Sequence, residues 1–290
     1  MVSYGSQGVV LLADGERRRC KYRRRVGRPY CGDRVTLAIA DNDSLVVESI
    51  LPRKNYFVRA DAQQRQHVIA ANLDQVLIVI AACPLPSRDL LERYLIAVHS
   101  LGIKPVIVLN KAELHPEPGE TAAGATVLEH LPDYSALGYT VIQTSCKTSP
   151  GISDLAAVLS ERTSIFVGQS GVGKSSLVNR LLPDLHIQTG ALSSATGKGV
   201  HTTTSTILYQ FTDGGQLIDS PGVWEYGIWK LENAELASGF IEFIPWLGQC
   251  RFNDCVHDTE PSCAVKQAVA DGHILEWRYA SYLRLLTQNA

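Results

Sequence analysis

Long apolar stretches are missing from this sequence. The longest run, residues 76–83, has eight residues, and a helix needs about 20 to cross the hydrocarbon core of a bilayer. The first ten residues have neither a basic start nor an apolar stretch, so no signal peptide is expected. A disulfide framework is equally unsupported. The seven cysteines are odd in number and unevenly spaced, with three of them between residues 250 and 263, a pattern that suits a reducing compartment and a metal site. Wholesale disorder is excluded because 45% of the residues are apolar and only 19% are charged. What remains is a soluble cytoplasmic protein with no membrane association. Its 290 residues predict two or three domains at roughly 100–200 residues each.

What is present is unevenly distributed. The net charge is -2, yet residues 1–67 hold 13 Lys/Arg against 7 Asp/Glu and the remainder 14 against 22. The extreme is residues 17–25, where Arg17, Arg18, Arg19, Lys21, Arg23, Arg24 and Arg25 surround Tyr22. A positive field this dense attracts phosphate backbones and steers encounter with nucleic acid. That reading is favoured over a strand edge charged merely to prevent aggregation.

Residues 1–67 read as β-rich. A run at 8–12 ends in Asp14-Gly15, a hairpin signal, and runs at 35–40 and 44–51 follow with β-branched residues. Short strands with turn punctuation predict a small barrel, and an oligonucleotide-binding (OB-type) barrel fits the size and charge. From residue 68 strands and helices alternate. Residues 75–82 form a buried-strand run. Ser87 caps a helix through Ser100, with Leu90, Leu91, Tyr94, Leu95 and Val98 on one face and Gly102 closing it. Strands at 105–109, 139–144 and 164–167 and helices at 152–159 and 175–182 continue the pattern, which predicts a doubly wound α/β domain with a mostly parallel sheet. Residues 207–219 look like an antiparallel hairpin appended to it, and helices are expected from about 231 to the end.

Residues 168–175, Gly-Gln-Ser-Gly-Val-Gly-Lys-Ser, match the phosphate-loop pattern G-x-x-x-x-G-K-S/T between a strand and a helix. Gly168, Gly171 and Gly173 let the backbone amides of the loop, Gln169, Ser170 and Val172 included, curl around phosphate oxygens, and the helix start at Ser176 adds partial positive charge. Lys174 is expected to bridge the β- and γ-phosphates and Ser175 to give its hydroxyl to Mg²⁺. For the base, Asn110, Lys111, Ala112 and Glu113 directly follow the 105–109 strand. The Glu113 carboxylate can accept from both the ring N–H and the exocyclic amino group of guanine, a pair that adenine lacks. Asn110 can bond another base edge, and the Lys111 stem can lie along the base plane. Thr144, Ser145, Cys146 and Lys147 end another strand and can cover the base from the far side. Asp219 can hold the Mg²⁺ shell through water, and Gly222 leaves room for its amide to meet the γ-phosphate. One of Thr202, Thr203 and Thr204 can complete that shell and sense the γ-phosphate by ordering; the sequence does not choose among the three.

These residues, 110–113, 145–147, 168–175, 201–204 and 219–222, resemble the five motifs of a GTPase in permuted order, with the base motifs ahead of the phosphate loop. With a basic barrel before and a Cys/His cluster after, the whole chain closely resembles the bacterial ribosome small subunit-dependent, circularly permuted GTPase A family. The resemblance implies hydrolysis of GTP to GDP stimulated by the small (30S) ribosomal subunit, contact with 16S rRNA, and a monomer acting late in that subunit's maturation. Two departures stand out. The family usually has Asp at the position of Glu113, whose extra methylene keeps the carboxylate and hence the guanine preference. The family's basic end extensions are short or missing here, which leaves more of the RNA contact to residues 17–28.

Ras-like enzymes position the attacking water with a Gln just after the Asp-x-x-Gly motif. Here that place is Val223, which neither accepts nor donates, so a low intrinsic rate is expected. His201, beside the threonines, is the candidate to orient the water, and the resembled family carries a histidine there; Lys174 and Asp219 complete the expected catalytic set. Cys250, Cys255, His257 and Cys263 supply three thiolates and an imidazole within fourteen residues, a full tetrahedral set for structural zinc with no position left for water. The expected domains are a barrel (1–67), a GTPase (68–230) and a zinc-binding helical segment (231–290). Because the metal segment closely follows the Asp219 motif, loss of the γ-phosphate is expected to move it against the barrel. The competing reading is a nucleotide-regulated rRNA-binding module whose slow hydrolysis is incidental.

Overall fold

The computed structural model describes residues 2–4, 7–40, 44–60, 66–114, 127–182, 206–220 and 232–289. Its first sheet has five strands, β1 (Val2–Tyr4), β2 (Gln7–Leu11), β3 (Arg17–Tyr22), β4 (Val35–Ile39) and β5 (Leu45–Ile50), in the order β1-β2-β3-β5-β4. The β3–β5 contact is parallel and the others are antiparallel. The Asp14-Gly15 signal becomes the turn between β2 and β3, with Gly15 at φ +86°, and Asp14 Oδ1 accepts the Glu16 amide at 2.9 Å. Side chains alternate across a strand. Along β3 that alternation buries Cys20 beside Val10, Leu45 and Val47 and turns Arg17, Arg19 and Lys21 outward.

A separate hairpin, β6 (Tyr56–Ala60) with β7 (Gln66–Ala71), follows, and the expected boundary at 67/68 falls inside β7. The sequence reading passed over this pair. Its Phe57, Val58, Val68 and Ile69 carried the strand signal, but they straddle the point where the texture changes. The hairpin joins the two halves: the Ala71 amide donates to Cys31 O at 2.8 Å and Asn72 Nδ2 to Gly32 O at 3.0 Å.

The second sheet is built around β8 (Gln75–Ala81), all seven residues of which are buried. β8 pairs in parallel with β9 (Lys104–Asn110) and β11 (Thr163–Val167), β9 with β10 (Thr140–Gln143), and β11 with β13 (Gln216–Asp219). β12 (Ile207–Gln210) is the antiparallel edge. The order is β10-β9-β8-β11-β13-β12, so the 207–219 hairpin is no appendage: β13 is an interior parallel strand. Alternate residues of β8 serve the two faces. Val76, Ile78 and Ile80 meet Leu91, Tyr94, Leu95 and Val98 of the Arg88–Ser100 helix; Leu77, Val79 and Ala81 meet the Ile152–Leu159 and Lys174–Leu181 helices. Each fully buried aliphatic side chain stabilises by about 1.5–3 kcal/mol. Ser87 Oγ accepts the Leu90 amide at 3.3 Å, the cap expected for the first helix.

The C-terminal part contains helices Asn233–Ser238, Ala264–Ala270 and Glu276–Asn289 and a 3-10 turn at Ile241–Trp246. It is fastened to the Arg88–Ser100 helix by Arg278, 1% exposed, which pairs with the equally buried Glu92 and donates from Nε to Glu242 Oε1 at 2.5 Å. Tyr134 OH donates to the other Glu92 oxygen at 2.6 Å, and Ile96 of that helix packs into the C-terminal core beside Phe240 and Phe243. The metal-binding segment is therefore continuous with the helix layer of the second sheet, and any displacement of it against the first sheet must carry that layer along. Among the described residues no helix is long and apolar enough to cross a membrane.

Removing one partner from a buried ionic cluster leaves uncompensated charge, at a cost of about 3–5 kcal/mol. Arg278→Met should therefore lower the melting temperature sharply. Adding Glu92→Leu and Glu242→Leu should recover most of the loss. Equal melting of wild type and Arg278→Met would show that the cluster contributes nothing.

Candidate functional site

Open parallel sheets place ligands beyond the carboxyl ends of their strands, and here five such ends converge. β9 ends at Asn110, β10 runs into Thr144 and Ser145, β11 into Gly168, and β13 ends at Asp219, while β8 between them ends at Ala81. The motifs scattered from residue 110 to 219 in the chain thus meet on one edge.

The phosphate loop has the backbone its glycines permit. Gly168, Gly171 and Gly173 have φ of +136°, +79° and +94°, values that side chains on Cβ disfavour. Crowding reinforces the choice at two of them. A Cβ on Gly168 would collide with the Val79 carbonyl, and one on Gly173 with the Asn110 amide nitrogen. Val172 is buried, whereas Ser170 and Gly171 are exposed and Gln169 half-exposed. Lys174 opens the following helix, with Ser175 and Ser176 half-buried beside it. Lys174 Nζ donates to the Gly168 and Gln169 carbonyls at 2.8 and 2.7 Å. Burial lowers its pKa to about 8, against the opposing pull of Asp219. Burial likewise pushes the Asp219 carboxyl above its ordinary range, with Lys174 drawing it back. A half-buried cation and a half-buried anion that feel each other lie beside a rank of backbone amides, an arrangement that can take phosphate oxygens.

Asn110 has a task that the sequence reading did not foresee. Only 1% exposed, it donates from Nδ2 to the Val172 carbonyl at 2.9 Å, and its Oδ1 accepts from the Thr144 hydroxyl at 3.2 Å. Its side chain thereby ties the phosphate loop to the end of β10. The Ala112 amide donates to the Thr144 carbonyl at 3.0 Å, so the two base segments are joined directly. Thr144 reads in sequence as the start of a segment covering the base; its bond to Asn110 carries no separate signal there. Lys111 Nζ reaches across to the Cys83 carbonyl at 2.8 Å. The Ser145 side chain accepts the Lys147 and Thr148 amides at 3.2 and 3.1 Å, and Cys146 Sγ lies 3.8 Å from Asn110 Oδ1.

Glu113 is the informative residue. The Ser145 hydroxyl beside it, its own backbone amide, and Lys147 and Lys111 hold its carboxyl below the usual range, so it is an anion at neutral pH. Its Oε2 is nonetheless buried, with no hydrogen-bond partner among the described residues. A buried, ionised, unpaired carboxylate oxygen is costly and fits a ligand that brings N–H donors. His201, Thr202, Thr203, Thr204 and Gly222 lie outside the described residues. Near them, the Thr206 and Ser220 hydroxyls are 3.0 Å apart, closing the β12–β13 pair beside Asp219.

Cys250, Cys255, His257 and Cys263 come together, their ligand atoms all within 4.8 Å of one another. His257 Nδ1 lies 3.5, 3.5 and 3.4 Å from the Cys250, Cys255 and Cys263 sulfurs, and Cys250 and Cys263 Sγ are 3.8 Å apart. Metal–sulfur bonds of about 2.3 Å in a tetrahedron need edges of about 3.5–3.8 Å, so the set can hold one metal ion. The Tyr279 and Tyr282 hydroxyls donate to the His257 and Val256 carbonyls, each at 2.7 Å, and so hang the metal loop on the last helix.

Of the basic residues, Arg19, Lys21, Arg23 and Arg25 are exposed and Arg18 is half-buried; Arg24 begins a 3-10 turn at Arg24–Val26. Arg17 does something else. Its guanidinium donates to the Leu208 carbonyl at 2.9 Å and stands 5.9 Å from the centre of the Tyr209 ring. It thus pins the first sheet to β12, the strand paired with the one that ends in Asp219. A cleft of about 350 Å³ between the two sheets is lined by the starts of β11 and β13, Thr163 and Gln216, and so lies at the far end of the sheet from the phosphate loop.

Comparison with known proteins agrees with this geometry. A family model described as RsgA GTPase matches residues 50–229. The small ribosomal subunit biogenesis GTPase RsgA of Chromohalobacter salexigens is 46% identical over 273 residues, 94% of this chain and 79% of that protein. The protein of the same name from Azotobacter vinelandii is 44% identical over 287 residues, 98% and 82% respectively. The crystal structure of YjeQ from Thermotoga maritima superposes with a TM-score of 0.76 at 32% identity, covering 98% of each chain. YloQ, a circularly permuted GTPase, gives 0.74 at 28%, covering 99% of this chain and 92% of its own.

Bound phosphate favours the ammonium form of Lys174, so nucleotide affinity should weaken as pH rises through about 8, by about tenfold per pH unit once the free protein has lost that proton. Titration with a fluorescent nucleoside diphosphate from neutral to alkaline pH checks this, and a flat profile would contradict it. One equivalent of metal should be found by elemental analysis. Stripping it with a strong chelator should melt the C-terminal core at a lower temperature, whereas unchanged melting would show that the cluster is not a structural site.

Proposed function

The chain belongs to the RsgA GTPase family, and from that premise we propose that it is a GTP hydrolase of small-ribosomal-subunit biogenesis, as its relatives are named. The observation that carries the reading is the joining of two ends of one site by Asn110: Lys174 and Asp219 where phosphates lie, and the unpaired Glu113 oxygen where a base lies. Glu113 accepts from the two guanine nitrogens, with Lys111 and residues 145–147 flanking the ring. The amides of residues 168–173 and the Lys174 ammonium hold the β- and γ-phosphates. Ser175, Asp219 and one of Thr202–Thr204 would hold Mg²⁺, which when bound would neutralise charge on the transferred phosphoryl group. The Gly222 amide meets the γ-phosphate. His201 orients the attacking water, a role that Val223 cannot fill.

The three-thiolate, one-imidazole set selects zinc and leaves no open position, so its contribution is stability. The five-stranded sheet acts as an OB-type barrel, with Arg18, Arg19, Lys21, Arg23, Arg24 and Arg25 facing 16S rRNA; Arg17 is shared with the contact to β12. The working domains are 1–67, 68–230 and 231–290, in a cytoplasmic monomer that switches its grip on the subunit with its nucleotide.

Turnover of GTP with and without purified small subunits tests the proposal, with ATP and Lys174→Ala as controls. Stimulation should be confined to GTP, and the variant should lose about 10²–10³ of the stimulated rate. GTP binding without stimulation would instead favour an rRNA-binding module with incidental hydrolysis.

A further inference from the structure

A shallow cleft of about 510 Å³ opens where the loop after β3, the end of β5 and the start of β6 meet, between Arg28, Tyr30, Leu51, Pro52, Arg53 and Tyr56. It is separate from the nucleotide site and from the metal cluster, and none of its residues belongs to the basic set at 17–25. Tyr56 is 49% exposed and Leu51 41%, so a ring and an aliphatic side chain stand in water side by side. The Tyr30 ring carries two guanidinium groups, Arg53 at 5.0 Å and Arg28 at 5.9 Å from its centre.

The two arginines are not equivalent. Arg53 is fixed by Asp33, with Nε and Nη2 donating to the two carboxylate oxygens at 2.7 and 2.8 Å. Its charge is balanced and its plane is held, which makes the Tyr30–Arg53 pair a flat, pre-ordered surface. Arg28 is exposed and has no carboxylate partner among the described residues. From residue 17 to residue 32 the chain has eight Lys/Arg and no Asp/Glu, so the segment that supplies Arg28 and Tyr30 to the cleft carries an unbalanced positive charge.

An exposed ring beside a rigid aromatic–guanidinium pair is a surface for stacking, and an exposed arginine at its rim is a phosphate contact. An apolar protein segment would leave the charge unmatched, and a duplex offers no free base face. We infer that this cleft takes one unpaired nucleotide of single-stranded RNA, its base against Tyr56 and the Tyr30–Arg53 pair and its phosphate on Arg28. The inference deepens the reading of the first sheet as an RNA-facing module and rests on it.

Stacking and phosphate contacts differ in salt dependence, and that difference supplies the test. The probe is a fluorescein-labelled oligouridylate of about ten nucleotides, titrated with the full-length protein over a salt series. Tyr56→Ala should weaken binding about tenfold with an unchanged salt slope, since no counterion is released by a ring. Tyr56→Phe should bind like wild type. Arg28→Ala should reduce the slope by about 0.7, the value for one phosphate on a single strand. Basal GTP hydrolysis and the far-ultraviolet circular dichroism of all three variants should match wild type, because Tyr56 and Arg28 lie at the surface. If wild type binds the oligomer and Tyr56→Ala binds equally well, the cleft is not the site. Competition by polyglutamate as strong as that by unlabelled RNA would overturn the choice of partner. If wild type binds neither the oligomer nor small subunits, the RNA-facing reading itself fails.

Discussion

Everything at the nucleotide site depends on β8 being paired in parallel on both edges. With β9 on one side and β11 on the other, the strand has no solvent-facing edge, and helices cover both of its faces. That arrangement forces the carboxyl ends of β8, β9, β10, β11 and β13 to one side, where loops rich in unsatisfied backbone groups can meet a ligand. Chain order is irrelevant to this geometry. A phosphate loop at residue 168 meets a base motif at residue 110 because their strands are neighbours but one in the sheet, and Asn110 closes the gap with a bond to Val172. A permuted order of motifs therefore costs the chemistry nothing.

The two flanking modules are attached to different parts of this sheet, by different physics. The C-terminal part is held by a buried ionic cluster and a shared apolar core on the Arg88–Ser100 helix. Such contacts are expensive to break and favour motion as one body. The first sheet meets the second through the part-buried bond of Arg17 to Leu208, and the loop after β3 sets the buried Cys31 into the apolar core around Ile78 and Ile218. Arg17 joins the first sheet to β12, one strand away from Asp219.

Much of the site was legible in the sequence, for a local reason. A phosphate loop needs glycines where φ is positive, a lysine at the helix start and a hydroxyl after it, and those demands fall on eight consecutive residues. The metal set is likewise confined to fourteen residues, and the structure draws its four ligand atoms together. The buried-strand runs gave β8, β9 and β11 to within a residue or so, because strands with both faces covered read as continuous apolar stretches. The β6–β7 hairpin escaped notice because its alternation spans the change of texture near residue 67.

The sequence by itself determined which chemical groups are present: a phosphate-loop pattern, a carboxylate placed after a buried strand, a thiolate–imidazole metal set and a basic strand. These follow from residue type at short spacing, where covalent connection fixes proximity. Only the tertiary structure decided what each polar group does with its remaining hydrogen bonds. Asn110 is spent on the phosphate loop, Arg17 on β12, and Arg278 on two carboxylates from distant parts of the chain, while Glu113 keeps one oxygen unpaired. Such assignments depend on which groups meet across tens or hundreds of residues, and sheet pairing and packing set those distances.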